Sequence, residues 1–129
     1  MKKLLLLSIS LLTLSFVSNS FAHDLKGAIA SEDRTPKNVV RDIYRHPYET
    51  LEFFGIKQDM TVVELSPGGG WYTEILANYI HYPGTLIAAH FNPDAGGYYK
   101  RGRANFEKKM NGNAMYGRVE IVYIDSTLA

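Results

Sequence analysis

The sequence predicts an α/β domain built on a parallel sheet, and three features indicate this. In the central part of the chain, short β-branched segments alternate with segments whose apolar residues recur at helical spacing. Strands that alternate with helices favour parallel pairing with right-handed crossovers. Three consecutive glycines, Gly68 to Gly70, follow the first of these strands. Such sheets bind their ligands at that end of the strands, so the glycines are candidate site residues.

The first 22 residues are typical of a secretory signal peptide. A basic start is followed by an apolar run from Leu4 to Val17, and Ser20 and Ala22, on either side of Phe21, supply the small residues that a signal peptidase recognises. The run is shorter than the ~20 residues of a transmembrane helix, although an uncleaved N-terminal anchor is the alternative. We therefore expect a periplasmic or secreted protein, cleaved after Ala22, with no stable membrane span afterwards.

Charge and cysteine content exclude several classes of function. Cleavage would remove two of the 14 basic residues, Lys2 and Lys3, and none of the 13 acidic ones, which leaves a net charge of −1. This balance argues against a nucleic-acid partner or an anionic membrane surface. The chain has no cysteine. A disulfide framework, a thiolate nucleophile, a cysteine-based zinc site and a lipoprotein anchor are therefore excluded.

The segment before the sheet is expected to be helical only in part. Residues 23–33 are polar and without periodicity, which predicts a flexible leader ahead of a domain over 34–129. Thr35 and Pro36 are typical of an N-cap and a first helical position, so a helix is predicted over 36–44. A second helix begins at Pro47 and ends near Gly55, a plausible residue just past a helix end.

The rest of the domain is predicted to run β-α-β-α-β. Short, β-branched or alternating segments predict strands over 61–65, 85–89 and 119–124. Apolar residues at helical spacing predict helices over 71–80 and 98–110, each ended by a proline, glycine or asparagine turn.

The loop after the first strand carries the main chemical signal. Without Cβ atoms, Gly68 to Gly70 allow a sharp turn and a close approach of a ligand to the main chain. The following helix would direct unpaired N–H groups to the same place, which favours an anionic or carboxylate group. The alternative is a tight turn that binds nothing. A dinucleotide pattern fits poorly because Thr73 replaces the third glycine, and the P-loop pattern is absent.

The run from Val62 to Gly70 resembles the first motif of class I S-adenosylmethionine-dependent methyltransferases. In that motif a hydrophobic strand ends in an acid, and a hydrophobic residue and G-x-G-x-G follow. Glu64 matches the acid, and Gly68 and Gly70 match the second and third glycines. Ser66 replaces the first glycine, and the neighbouring Pro67 stiffens the loop.

The resemblance extends over roughly residues 31–125 to an exported group of bacterial methyltransferase-like proteins. The segments that carry it are Arg34-Thr35-Pro36, Tyr44-Arg45-His46-Pro47, Pro67-Gly68-Gly69-Gly70-Trp71-Tyr72-Thr73-Glu74 and Ala88-Ala89-His90-Phe91. It implies a Rossmann-like parallel three-layer sandwich. The chain would supply its N-terminal half, about three of about seven strands.

The resemblance also implies a cofactor and its contacts. S-adenosylmethionine would place its amino-acid end on the loop formed by Ser66, Pro67, Gly68, Gly69 and Gly70. Glu64 would favour the ammonium group of the cofactor. The second strand should end in an acid for the ribose hydroxyls, but His90 stands there, with Asp94 as a nearby substitute. Asp125 falls where the family often places a contact to the adenine.

Each of these residues also has a structural interpretation. Glu64 could cap a helix or form a salt bridge, and Asp125 could be an ordinary loop residue. Trp71 is expected to pack rather than to bind a ligand. The four histidines, His23, His46, His81 and His90, show no metal-ligand spacing, so no metal site is predicted, and no nucleophile elbow is found.

The sequence therefore predicts the cofactor-binding part of a methyltransferase, with its substrate half and its catalytic residues missing and its methyl acceptor unknown. We expect truncation. Pairing with another chain through the open sheet edge and marginal folding are the alternatives. An exported, non-catalytic nucleotide- or metabolite-binding module is the alternative function, and an inactive remnant is a third.

Overall fold

A computed structural model of the chain describes residues 24–124. The predicted signal peptide over 1–22 and the candidate adenine contact Asp125 lie outside the described residues. Among the helices that the structure describes, none is both long enough and apolar enough to cross a membrane.

Three parallel strands form an open sheet in the order β1-β2-β3. The strands are β1 (Thr61–Leu65), β2 (Thr85–Phe91) and β3 (Glu120–Ile124). The helices are α1 (Leu25–Ile29), α2 (Pro36–Val39), α3 (Asp42–Arg45), α4 (Pro47–Phe53), α5 (Trp71–Tyr79) and α6 (Gly97–Asn111), with 3₁₀ turns at Pro93–Ala95 and Ala114–Tyr116. The predicted α/β architecture and its parallel sheet are therefore confirmed.

The strand register places the ends of β1 and β2 side by side. Leu65, the last residue of β1, lies opposite Ala89, and Phe91 at the end of β2 lies opposite Ile124 of β3. The loop after β1 and the loop after β2 therefore emerge at the same edge of the sheet, which is where a parallel sheet collects its site residues.

Two predictions about the N-terminal segment are wrong. The leader predicted over 23–33 contains helix α1, which packs on α4 and α5 and buries Ala28 to 1% exposure. Periodicity could not reveal it because the helix has only five residues. The helix predicted over 36–44 is two short helices. The carbonyl of Asn38 accepts hydrogen bonds from the Arg41 N–H and the Trp71 indole, contacts that replace the next regular helical bond.

The two faces of the sheet have different surroundings. Val62, Leu86, Ala88 and Ile121 lie on the face that packs against the helices, in the core around Ile75, Phe106 and Met110. On the opposite face, the side chains of Val63, Leu65, Val122 and Ile124 are exposed. Within residues 24–124, helices therefore cover one face of the sheet.

Candidate ligand-binding site

The loop between β1 and α5 turns through left-handed backbone conformations. Ser66, Gly68 and Gly70 have φ angles of 53°, 58° and 81°. The Ser66 N–H donates to the Ala89 carbonyl (2.9 Å), and the Gly70 N–H donates to the Pro67 carbonyl (2.9 Å). A Cβ at Gly70 would lie 3.2 Å from the Phe106 ring. Gly70 is thus required by both its conformation and its packing, whereas Ser66 adopts a conformation that usually favours glycine.

Gly68 and Gly69 have no packing requirement of this kind. A Cβ added to either glycine would meet nothing within 4 Å. Within the described residues, neither of their N–H groups has a hydrogen-bond acceptor. Since such groups are normally satisfied, by water or a ligand where not by protein, these two residues form a ridge of bare main chain suited to binding.

Two clefts lie on either side of this ridge, and both include Gly68 and Gly69 in their walls. The Glu64 cleft has a volume of about 480 Å³, and its charged lining residues are Glu64, Arg41 and Arg45. The basic cleft has a volume of about 740 Å³, and its charged lining residues are Lys37, Arg101 and Lys109.

Glu64 lies at the start of α5 as well as in the cleft. The Thr73 hydroxyl in the first turn of that helix donates to the Glu64 carboxylate (Oγ1 to Oε2, 2.5 Å). The helix-terminus contact considered for Glu64 from the sequence is therefore present. Burial raises the pKa of Glu64 to about 7, although the bonds from Thr73 and the charges of Arg45 and Lys109 act in the opposite direction. The cleft thus contains a carboxyl group that ionises near neutral pH.

Trp71 forms the back of the Glu64 cleft. The residue is 4% exposed, and its indole N–H donates to the Asn38 carbonyl (2.9 Å). The Arg45 guanidinium lies 4.2 Å from the ring centroid, a cation–π contact. The prediction that Trp71 packs is confirmed, and the contact also positions Arg45 at the cleft.

His90 is placed by the structure beneath the ridge. The side chain is 1% exposed. Nδ1 accepts the Phe91 N–H (2.8 Å), and this leaves Nε2, which is 3.3 Å from the Gly68 carbonyl, as the protonated donor. Burial lowers the pKa of His90, consistent with a neutral ring. Nε2 therefore links the end of β2 to the loop, whereas Nδ1 bonds to the next residue of the same strand, so a ribose could bond to His90 only by displacing one of these contacts.

Asp94, the acid considered from the sequence as a substitute for His90, lies apart from the basic cleft. Asp94 is exposed in the 3₁₀ turn after β2, and it lines neither cleft. Among the described residues, no Asp or Glu lines the basic cleft. Asp94 is therefore not placed to serve as the ribose-binding acid that the resemblance implies.

A buried ionic network, which the sequence did not predict, supports the ridge. Glu74 in α5 is 0% exposed and accepts hydrogen bonds from the Thr35 hydroxyl (2.5 Å) and the Thr35 N–H (3.2 Å). It also forms an ion pair with Lys109 of α6. The Lys109 ammonium donates to the Gly69 carbonyl (2.8 Å), so the network reaches the ridge itself.

Arg34 completes this network on the side away from the ridge. Its guanidinium donates two hydrogen bonds to Asp42 (2.6 and 2.9 Å), and its Nε lies 3.9 Å from Glu74. The segments Arg34-Thr35-Pro36 and Trp71-Tyr72-Thr73-Glu74, far apart in the sequence, therefore meet in the structure. Their presence in the sequence was a signal, but nothing in it showed that they pair.

Within residues 24–124 no group of three or more His, Asp or Glu side chains is arranged to hold a metal ion. Comparison of the chain with protein-family models, curated proteins and solved structures finds no significant match.

Proposed function

We propose that this chain binds S-adenosylmethionine at the Gly68–Gly69 ridge and is the cofactor-binding part of a methyltransferase with a Rossmann-like, three-layer fold. One observation carries the proposal. Two glycines with unpartnered N–H groups lie at the end of β1, beside the carboxylate of Glu64. This combination suits a small ligand that has both an ammonium and a carboxylate group.

The Glu64 cleft contains complementary groups for the amino-acid end of the cofactor. The Glu64 carboxylate would bind the ammonium group, and the guanidinium groups of Arg41 and Arg45 would bind the carboxylate. The N–H groups of the ridge would donate to the same carboxylate. The cleft therefore fits a zwitterion, and Arg41 and Arg45, which lie outside the Val62–Gly70 motif, add support to the proposal.

The fit is incomplete at the ribose. Both nitrogens of His90 already have partners, the Gly68 carbonyl and the Phe91 N–H, and Asp94 lines neither cleft. The ribose would therefore bind without the carboxylate that the family uses, and the loop and Glu64 would supply most of the affinity. In the transfer, an acceptor nucleophile would form a bond to the methyl carbon while the carbon–sulfur bond breaks and its electron pair stays on sulfur. Catalysis of such a step rests on positioning, and we assign no catalytic residue.

Isothermal titration of the full chain with S-adenosylmethionine tests this proposal. Gly69→Val should weaken binding by about 100-fold, since a branched side chain would occupy the ridge where the ligand approaches the main chain. Gly69→Ala should have a smaller effect. The fold should be retained in both variants because a Cβ at this position meets nothing within 4 Å.

Ala104→Val is the matched control, because it adds similar bulk on an exposed position of α6 that lines neither cleft. It should bind the cofactor like the parent protein, and thermal unfolding should confirm that all variants fold. Equal binding by Gly69→Val and the parent, or no binding by the parent, would refute the proposal.

A further inference from the structure

The charged side chains that line the basic cleft are all positive, whereas both signs of charge line the Glu64 cleft. Lys37 of α2 and Arg101 and Lys109 of α6 contribute three cations, and no carboxylate among the described residues lines the cleft. Lys109 is neutralised in part by Glu74. Lys37 and Arg101 have no acidic partner in the part of the chain that the structure describes.

The N-terminus of α6 adds to this positive potential. This helix has 15 residues, begins at Gly97, and has neither a side-chain cap nor an acidic residue in its first turn. Tyr98 and Tyr99 in that turn line the cleft. The unpaired N–H groups of the first turn therefore lie at the same cleft as the three cations, and both favour an anion.

Aromatic side chains form a wall beside these charges. The ring centroids of Phe91 and Tyr99 are 4.9 Å apart, and those of Tyr98 and Tyr99 are 5.5 Å apart. Tyr98 is largely exposed, so its ring offers a flat apolar surface to a ligand. Planar groups stack on such surfaces, and a cation nearby strengthens the binding of an anionic substituent.

We propose that the basic cleft is a second binding site, for a small anion that combines an aromatic ring with a phosphate or carboxylate group. The sulfonium charge of S-adenosylmethionine makes that cofactor a poor ligand for a cleft with three cations. The inference rests on Lys37 and Arg101, which the proposed cofactor site does not use, whereas Gly68, Gly69 and His90, which were considered for the cofactor, line this cleft as well.

Calorimetric titration of the full chain with four probes tests this site. Adenosine 5′-monophosphate should bind at least about tenfold more tightly than adenosine, which lacks the anion, and than inorganic phosphate, which lacks the ring. 4-Hydroxybenzoate distinguishes the two anion types. Tighter binding than the nucleotide assigns the site to aryl carboxylates, and weaker binding assigns it to phosphates.

The double variant Lys37→Gln/Arg101→Gln should weaken binding of the preferred probe by about tenfold or more, since it removes the two unpaired cations. Lys100→Gln/Lys108→Gln is the matched control, because it removes two exposed lysines of α6 that do not line the cleft. The control should bind within about twofold of the parent.

Three results would overturn the proposal. These are equal binding of adenosine and its monophosphate, unchanged binding by Lys37→Gln/Arg101→Gln, and no binding of any probe. Titration of the same double variant with S-adenosylmethionine separates the two proposals, because its affinity for the cofactor should stay that of the parent. If the parent protein binds a probe but does not bind S-adenosylmethionine, the proposed function is refuted and the second site is not.

Discussion

The two clefts share the Gly68–Gly69 ridge but differ in the charges that face it. The Glu64 cleft pairs a carboxyl group with two guanidinium groups, whereas the basic cleft contains cations and aromatic rings. A bare main chain offers N–H groups without discriminating between ligands. The two clefts therefore differ through the side chains that surround the loop and not through the loop itself.

The Gly68–Gly69 ridge between the clefts is held by the Glu74 network. Lys109 contacts both the Glu74 carboxylate and the Gly69 carbonyl, and Thr35 holds the same carboxylate from the α2 side. One buried charge thus connects α2, α5 and α6 to the ridge. Because buried ions need partners, removal of one member should affect folding and both clefts together.

Glu74→Ala should have the largest effect, a decrease of about 3–5 kcal/mol in the free energy of unfolding, because it leaves Lys109 without its buried partner. Urea-induced unfolding measures this change. Glu107→Ala is the control, since Glu107 pairs with Arg103 at a more exposed position on α6. Its cost should be about 0.5 kcal/mol or less. A similar decrease in the free energy of unfolding in the two variants would show that the network does not support the ridge.

Substitution of Glu64 should change the free energy of unfolding by an intermediate amount, and the effect should be specific to the Glu64 cleft. Its pKa is raised to about 7 by burial, so the folded state binds this proton more tightly than the unfolded state does. The stability that Glu64 contributes is therefore fully present below its unfolded pKa of 4.5 and is lost as the pH rises through about 7.

Glu64→Gln should remove this pH dependence. The stability of the variant relative to the parent should rise by about 1 kcal/mol between pH 4.5 and pH 8, a value reduced for solvent screening of a half-buried group. Urea unfolding across this range measures the difference. Glu32→Gln, at an exposed position, should run parallel to the parent. A constant difference between Glu64→Gln and the parent would contradict the burial of this carboxyl group.

The sequence was sufficient to predict the sheet and the loop, and these are its most local features. The strands Thr61–Leu65 and Glu120–Ile124 could be predicted from β-branching and alternation, and a sharp turn at Gly68 to Gly70 from the glycines themselves. Each of these structures depends on residues adjacent in the chain. Local preference and tertiary structure therefore agree at this corner of the fold.

The parts that the sequence did not predict depend on contacts between distant residues. The break after α2 occurs where the Trp71 indole bonds to the Asn38 carbonyl, 33 positions away in the chain. His90 was expected to face a ligand, but a bond to the Gly68 carbonyl turns its ring toward the loop. The basic cleft likewise forms only when α2 and α6 come together. The periodicity of apolar residues gives no information about contacts between residues that are distant in the chain.

The smallest effect is expected at the cation–π contact, and it can separate the two clefts in solution. Trp71 is the only tryptophan of the chain, so its fluorescence reports on the Glu64 cleft alone. Arg45→Met should cost about 0.5–1 kcal/mol and shift the emission to the red, because the ring loses the nearer of its two cations and part of its cover, while Arg34 stays 5.9 Å from the ring centroid. Arg41→Met, which removes a charge from the same cleft without a ring contact, should leave the emission unchanged.

S-adenosylmethionine should alter the Trp71 emission of the parent protein, whereas a ligand of the basic cleft should not. An equal response to both ligands would mean that the two clefts act as one site.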